Sequence, residues 1–442
     1  MYYLAIIGGG PAGYTAAELA KKAGKEVVLF EQTALGGTCL NVGCIPTKSL
    51  LYGAKQYYNA THAQRYGVTA ENASYDFAAM QKRKTIVVRK LVAGIRQRLQ
   101  GVTVVNGAAT VISRTDECVS IACGEQIYEA ENLLICTGSS NFVPPIPGIQ
   151  NNPAVWNSTD ALNASELPKS VIIVGGGVIG MEFATLYSAL GIPVTIIEAL
   201  PRILSTLDES ISDYLTAAYT KRGVNILTST KVEAIEGQRL MANGEWYEAD
   251  KILVCVGRRA NIQGLEALTD LEYNRGAIVV DDFMRTNLPN VYAAGDVTGK
   301  IMLAHVASRQ AEVAVGRMLK QIPVQRIAYN AIPSVVYTYP EVASVGISEN
   351  ALEGCEAVQL PMTYSGRFVA ENEGETGMCK LVVNTKSQTI MGVHLVGNPS
   401  SEFIAATSFA VRMGYTLPEF RQVVFPHPTV SEILRETVNE IQ

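Results

Sequence analysis

Several things are scarce in this chain of 442 residues. No uninterrupted apolar run reaches the roughly 18–20 residues that a membrane-spanning helix needs, so a membrane role is not expected. Basic residues do not dominate: 36 Lys and Arg stand against 41 Asp and Glu, a net charge of −5. Neither nucleic acid nor an anionic membrane surface is favoured as a partner, and the cluster Lys82-Arg83-Lys84 reads as a solvated helix face. The eight cysteines are too few and too scattered to form a disulfide framework. Reducing cytoplasm is the expected location, and any disulfide there is expected to be catalytic. A zinc site is not expected, because no second Cys or His pair stands at a suitable spacing to complete one. Histidine is limited to four positions, which makes each one a small and testable candidate. The chain opens on a strand-like run with no signal-peptide core ahead of it.

What is present is glycine at fixed spacing. An apolar run, Tyr3 to Ile7, leads directly into Gly8-x-Gly10-x-x-Gly13, then a helical stretch from Ala12 to Ala23, then a second apolar run from Glu26 to Phe30 that ends at Glu31. A dinucleotide-binding βαβ unit requires this order. The first glycine makes the turn, the second admits a pyrophosphate and the third lets helix and strand pack closely; the terminal acid bonds a ribose hydroxyl. The free N–H groups and positive end of the helix face the phosphates. The unit recurs as Val171–Val174, Gly175-x-Gly177-x-x-Gly180, a helix from about Ile179 to Leu190, and Val194–Ile197 ending at Glu198. A carboxylate at Glu198 suits the free 2′-hydroxyl of NAD and disfavours the 2′-phosphate of NADP, although Arg202 lies four residues on.

Between the first unit and the rest stands Gly36-Gly37-Thr38-Cys39-Leu40-Asn41-Val42-Gly43-Cys44-Ile45-Pro46-Thr47-Lys48. On an ideal helix, residues five apart point about 140° away from each other. A bond between Cys39 and Cys44 needs Cα atoms within roughly 7 Å, hence a distorted turn, for which Gly43 and Pro46 are suitable. Lys48, four residues after Cys44, shares its helix face and is expected to lower a thiol pKa. A dithiol and a nicotinamide each move two electrons but exchange them poorly, so a flavin between them is expected: FAD in the first cradle, NAD in the second. The runs Leu133-Leu134-Ile135-Cys136-Thr137-Gly138 and Val291-Tyr292-Ala293-Ala294-Gly295-Asp296 are strands ending in small residues that admit a cofactor, with Asp296 placed to bond sugar or ribityl hydroxyls. Gly257-Arg258-Arg259, after the strand Ile252–Val256, is expected near the second nucleotide. Near the C-terminus, His427 sits between Pro426 and Pro428, with Glu432 five residues on. Proline fixes the preceding residue outside the helical region and suits the first helical position. A rigid imidazole beside a carboxylate is suited to acid/base work.

Taken together, the dithiol run, both glycine patterns, the Ala-Gly-Asp run and His-Pro-Thr-x-x-Glu resemble the flavoprotein disulfide reductases over essentially the whole chain, and most closely their dihydrolipoamide-oxidising members. The resemblance implies an α/β fold with two Rossmann-like domains, for FAD and NAD, and a C-terminal α+β dimerisation domain. The expected boundaries are 1–142 (FAD), 143–262 (NAD), 263–324 (return to the FAD side) and 325–442 (interface), the last with strands near Ser334–Val336, Lys380–Val383 and Met391–Leu395. It implies that Cys39 exchanges with substrate sulfur and that Cys44 lies against the flavin as a thiolate, with Lys48 near the reactive flavin edge. Glu31, Gly36, Gly37, Thr38, Thr137, Gly138, Asp296 and Ala304 then join Gly8, Gly10 and Gly13 around FAD. Gly175, Gly177, Gly180, Glu182, Glu198, Val232 and Gly257 surround NAD. His427, held by Glu432, is the acid/base, with a cis His427–Pro428 bond, and serves the dithiol of the other subunit of a homodimer. The implied activity is oxidation of protein-bound dihydrolipoamide to lipoamide with electrons passing to NAD. The implied partners are lipoyl domains or lipoylated carrier proteins of 2-oxo acid dehydrogenase or glycine cleavage complexes. The sequence departs from the family pattern at Tyr339, where His is frequent, at Phe425-Pro426 before His427, and at Ala311 after Gln310. These departures keep open a reductase of another disulfide, a metal ion or a quinone; a subunit that only binds a multienzyme assembly is a third reading. The absence of a C-terminal cysteine pair argues against a mercuric reductase.

Overall fold

The computed structural model describes residues 1–320 and 325–441; the expected boundary at 324 lies outside the described residues. The chain divides into two compact units. One comprises Met1–Ser49, Ala78–Phe142 and Gly257–Ile327, the other Leu50–Phe77, Val143–Val256 and Ala328–Gln442.

In the first unit the apolar runs are buried on both faces, as parallel strands covered by helices must be. Leu4, Ala5, Ile6, Leu133, Leu134 and Ile135 have no exposure at all. The strands Thr103–Asn106, Val27–Glu31, Tyr2–Ile7 and Gln126–Ile135 lie side by side in parallel, with Val291–Ala293 parallel to the last of them. Antiparallel strands Val119–Cys123 and Ala109–Arg114 extend the same sheet. Register decides what meets at its carboxyl edge. Ile7 pairs with Phe30 and Ile135, and Ile135 with Ala293. Gly8, Glu31, Cys136-Thr137-Gly138 and Ala294-Gly295-Asp296 therefore leave adjacent strands at one level, where an open α/β sheet binds its ligand.

The second unit contains a parallel sheet ordered Asn225–Leu227, Val194–Ile197, Val171–Val174, Lys251–Val254 and Val155–Trp156. Here Val174 pairs with Ile197 and Val254, so Gly175, Glu198 and Cys255 emerge together. A small antiparallel sheet, Val232–Glu236, Arg239–Ala242 and Glu245–Glu248, follows. The unit also holds a five-stranded antiparallel sheet, ordered Ser334–Val336, Val342–Gly346, Ile390–Val396, Met378–Asn384 and Cys355–Leu360. Helices Ser400–Met413 and Ile433–Asn439 pack on it through Ile404, Val411, Ile433, Leu434 and Val438. The fold is thus α/β, with two Rossmann-like units and a C-terminal α+β sheet, as expected.

The glycine spacing is enforced by contact. A Cβ on Gly13 would lie 1.8 Å from the carbonyl oxygen of Gly8, and one on Gly180 would lie 2.0 Å from that of Gly175. Gly8 and Gly175 take φ of +108° and +104°, a region that L side chains rarely adopt. No side chain caps the helices that follow, Pro11–Lys22 and Val178–Ala189, whose N-caps are Gly10 and Gly177.

Candidate functional site

Two cradles are built from corresponding hydrogen bonds. In the first, one oxygen of Glu31 accepts the N–H of Gly9 at 2.8 Å and the other accepts that of Thr33 at 2.8 Å, while the Gly36 N–H donates to the carbonyl of Gly9 at 2.8 Å. In the second, Glu198 accepts from Gly176 at 2.7 Å and from Leu200 at 2.8 Å, and the Leu204 N–H donates to the carbonyl of Gly176 at 2.9 Å. Each carboxylate is fixed on the glycine turn at the carboxyl edge of its sheet, within reach of a ribose. A Cβ built on Gly177 meets nothing within 4 Å, so backbone is open beside the helix start. The open backbone and the uncapped positive helix end are the features that a diphosphate requires. Arg202 pairs with Glu209 at the surface. That pairing engages Arg202 away from Glu198.

The first unit gathers further groups. The strand Arg258–Ala260 pairs with Ser139–Asn141. The Arg258 guanidinium donates to the Ser139 hydroxyl at 2.7 Å, to the Ser139 carbonyl at 2.6 Å and to Asn141 at 2.9 Å, and reaches Thr38 at 3.5 Å. The Ser139 hydroxyl in turn donates to Asp296 at 2.5 Å, and Arg258 stands 4.0 Å from the same carboxylate. Thr137 donates to the Asn261 carbonyl at 2.5 Å. Gly295, with φ of +85°, is fixed by its N–H donating to the fully buried Gln310 at 2.7 Å, and this aims Asp296. Ala304 opens the helix Ala304–Met318. The sequence reading missed Arg258 as part of this group. It follows a strand of the second unit and was expected with the second nucleotide; its signal, a basic pair after Gly257, carried no information about which strand it pairs with. Gly257 itself begins the third segment of the first unit, whereas Gly175, Gly177, Gly180, Glu182, Glu198 and Val232 belong to the second.

The dithiol lies where the first cradle ends. The helix Gly37–Val42 stops at Gly43, whose φ and ψ of −143° and −113° break the spiral, and a new helix, Cys44–Thr61, begins. A Cβ on Gly43 would sit 2.9 Å from the Thr38 carbonyl oxygen, so the break requires glycine. Thr47 covers the Gly43 carbonyl through its hydroxyl at 2.6 Å and its N–H at 3.1 Å. Asn41 binds the carbonyls of Leu35 and Gly37 at 3.1 and 3.0 Å. The break brings the two thiols, both half-buried, into hydrogen-bond contact. This is the distorted turn that the spacing demanded. The Cys39 thiol is pushed up, chiefly by its hydrogen bond with Cys44 and then by burial; Lys48 pulls it down, as expected of its position, but is outweighed. Burial pushes Cys255 and Cys379 up to about 12, which leaves them unreactive.

At the C-terminus the His427–Pro428 peptide is cis. Pro428 does not begin the helix, contrary to the expectation. Thr429 is the N-cap, and a capping box with Glu432 starts a 3₁₀ turn, Val430–Glu432, that runs into Ile433–Asn439. The capping geometry prevails because Glu432 accepts the Thr429 N–H at 2.9 Å. The buried Glu432 carboxylate also meets His427 Nδ1 at 3.0 Å, while the His427 side chain is 80% exposed. With Nδ1 engaged by Glu432, Nε2 is the second ring nitrogen available for a proton. The backbone N–H of Thr429, followed by the contact with His427, holds Glu432 below the usual carboxylate range. Its stabilising contribution is complete above the ordinary value of about 4.3 and is lost as pH falls through the lower folded value. Thermal unfolding of Glu432→Gln against the parent from pH 7 to pH 3 is expected to show a gap that closes only at the acid end; a gap constant with pH would contradict the assignment. Among the described residues, no group of three or more His, Cys, Asp or Glu is placed to hold a metal ion, and no helix is long and apolar enough to cross a membrane.

Residues 2–311 match the family described as pyridine nucleotide-disulphide oxidoreductase, and residues 332–438 match its dimerisation domain. The chain is 38% identical to a dihydrolipoyl dehydrogenase of Chlamydia pneumoniae, over 98% of this chain and 95% of that protein. It is 37% identical to the enzyme of the same name from Mycoplasma genitalium, over 98% and 97%. Among solved structures it is similar to the HOCl-induced flavoprotein disulfide reductase RclA of Escherichia coli, at 29% identity, a TM-score of 0.88 and full coverage of both chains. It is also similar to LpdA of Mycobacterium tuberculosis, at 25% identity and 0.92, again with both chains fully covered.

Proposed function

This chain belongs to the pyridine nucleotide-disulphide oxidoreductase family, and we infer that it is an FAD-dependent enzyme that oxidises protein-bound dihydrolipoamide and passes the electrons to NAD. The observation that carries the reading is the pair of thiols, Cys39 and Cys44, held in contact by a glycine break directly after a dinucleotide cradle. Bound FAD and NAD supply the two-electron chemistry that a dithiol cannot complete alone. FAD is assigned to the first cradle, where the Pro11–Lys22 helix start and Arg258 would bind its diphosphate and Asp296 its hydroxyls. NAD is assigned to the second, with Glu198 on its ribose.

The residues of the chain perform the thiol chemistry. His427 takes the proton of one dihydrolipoyl thiol. The resulting thiolate attacks the Cys39 sulfur of the Cys39–Cys44 disulfide, and Cys44 leaves as a thiolate. The imidazolium releases this first proton to solvent; the imidazole then takes the proton of the second substrate thiol, which attacks the substrate sulfur of the mixed disulfide and closes the lipoyl ring. Cys39 leaves with the pair of electrons and takes the second proton from the imidazolium. Two protons and two electrons have left the substrate. Glu432 fixes the imidazole tautomer with a proton on Nδ1 and steadies the imidazolium. Lys48, one turn after Cys44, places a positive charge near the departing thiolate.

In the homodimer that we propose, His427 and Glu432 serve the dithiol of the second copy, and lipoyl domains of 2-oxo acid dehydrogenase or glycine cleavage complexes are the physiological substrates. The match to the dimerisation domain supports the dimer. The four-part division 1–142, 143–262, 263–324 and 325–442 and a cytoplasmic location belong to the same proposal. The separate sheets support the first, and thiols scattered without a disulfide framework support the second.

The test is NAD reduction by dihydrolipoamide with purified, FAD-loaded protein, compared with NADP. Fast turnover with NAD is expected. No turnover, with the flavin still bleached by NADH, would keep the relay and move the substrate to another disulfide, a metal ion or a quinone. Tyr339 and Phe425 would then be the first residues to exchange for those of dihydrolipoamide-oxidising relatives.

A further inference from the structure

The two cradles match bond for bond, but their outer loops end differently. After Glu31 the chain passes through Gly36 into the dithiol helix, and Asn41 ties that helix back to the loop. After Glu198 the chain makes a longer loop, residues 199–208. Its inner side is secured to the glycine turn: Leu204 donates to Gly176, and a Cβ on Gly176 would meet Ile203 at 2.7 Å. Leu204 is almost wholly buried and holds a φ of +48°, a conformation that a leucine keeps only where its surroundings impose it. The outer end of this loop is Asp208. It is 3% exposed and caps the helix Glu209–Lys221 by accepting the N–H of Ser210.

Asp208 has a second partner that comes from far along the chain. Lys380, on the strand Met378–Asn384 of the C-terminal sheet, places its ammonium 3.2 Å from the Asp208 carboxylate and 3.0 Å from Glu349. Lys380 faces His394 across the sheet register, and His394 is itself engaged by Ser344 at 2.6 Å and the Ile347 carbonyl at 3.0 Å. Lys380 is thus a buried lysine, held ionised by two carboxylates, at the outer end of the loop that frames Glu198. A buried ion pair is a poor source of stability because desolvation offsets its attraction, but loss of one partner leaves the other charge uncompensated. Such a pair is well suited to fixing one geometry.

We propose that Lys380 is a positioning residue for NAD: through Asp208 it holds the loop 199–208 against the glycine turn and so keeps Glu198 in place for the adenosine ribose. The inference rests on the assignment of NAD to the second cradle. It gives the C-terminal sheet a part in nicotinamide affinity without any contact between that sheet and the nucleotide.

The holoenzymes of Lys380→Met, Lys380→Arg and Asp208→Asn test it. NADH affinity is read by fluorescence, with NAD KM and kcat measured separately and FAD content and unfolding temperature as controls. Lys380→Met and Asp208→Asn are expected to weaken NADH binding and raise the NAD KM roughly three- to thirtyfold, with kcat nearly unchanged and FAD retained. Lys380→Arg is expected to restore most of the affinity. The double variant is expected to be no worse than either single one, because both remove the same tether. A Lys380→Met protein that unfolds at lower temperature yet binds NADH like its parent would overturn the proposal and leave Lys380 purely structural. If the Lys380→Met protein does not fold, the Asp208→Asn protein, which keeps an acceptor at the helix cap, decides by the same criterion. A parent enzyme that binds no NADH would overturn the NAD assignment and this inference together, and the two failures are distinguished by that control.

Discussion

Replacing Cys44 by serine is expected to abolish NAD reduction by dihydrolipoamide, a loss on the order of a thousandfold or more, while NADH oxidation by an artificial dye acceptor persists. The hydrogen-bonded pair defines the reason. In the proposed mechanism oxidised Cys39 and Cys44 form the bond that substrate sulfur attacks, and a hydroxyl at position 44 can neither form that bond nor leave from it. The site is otherwise preserved: serine is close in size, and the break at Gly43 and the Thr47 bonds to its carbonyl are independent of sulfur. FAD content and the unfolding temperature should therefore stay near those of the parent. Cys39→Ser should be equally inactive toward dihydrolipoamide, yet it retains the Cys44 thiol, and the two variants should differ in the visible spectrum of the reduced protein. Unchanged dihydrolipoamide turnover in Cys44→Ser would remove the dithiol from the mechanism and with it the assigned reaction.

Exchange of His427 for glutamine is expected to lower kcat with dihydrolipoamide by about 10²–10⁴-fold, the usual worth of a positioned general base. At neutral pH a free thiol is only a few per cent ionised, so removal of its proton has to accompany attack on Cys39. The imidazole is held at Nδ1 by Glu432 and open at Nε2, which is the geometry for taking that proton. The loss should shrink as pH is raised toward the thiol pKa, since hydroxide then does the work of the base. Dye reduction by NADH needs no thiol deprotonation and should not change. Glu432→Gln should show a smaller loss in kcat, because the imidazole stays in place but loses the charge that steadies its protonated form. A His427→Gln enzyme whose deficit is the same at every pH, or that loses dye reduction in parallel, would point to a structural role.

The local features were legible in the residues. Turn glycines, a terminal acid and a helix start act over a dozen or so positions, and their steric demands are absolute. Only glycine at positions 13 and 180 lets the helix lie against the turn carbonyl. The dithiol is similar: two cysteines five apart with a glycine beside the second cannot share an unbroken helix and still touch, and the break at Gly43 followed from the spacing. Glu432 was correctly set beside His427, but the start of the helix was misplaced, because a capping box at Thr429 outcompetes the preference of Pro428 for a first helical position.

What the residues determined alone, then, was the chemistry class: two nucleotide cradles, a redox-competent thiol pair and an imidazole with its carboxylate, each encoded by bonds between near neighbours. The tertiary structure decided which distant groups complete them. Arg258 joins Thr38, Ser139 and Asp296 because its strand pairs with Ser139–Asn141, more than a hundred residues earlier. Lys380 reaches Asp208 because a sheet register turns its side chain toward a helix cap 172 positions away. Strand pairing and register depend on packing across the whole unit, and no spacing rule within a short segment carries that information.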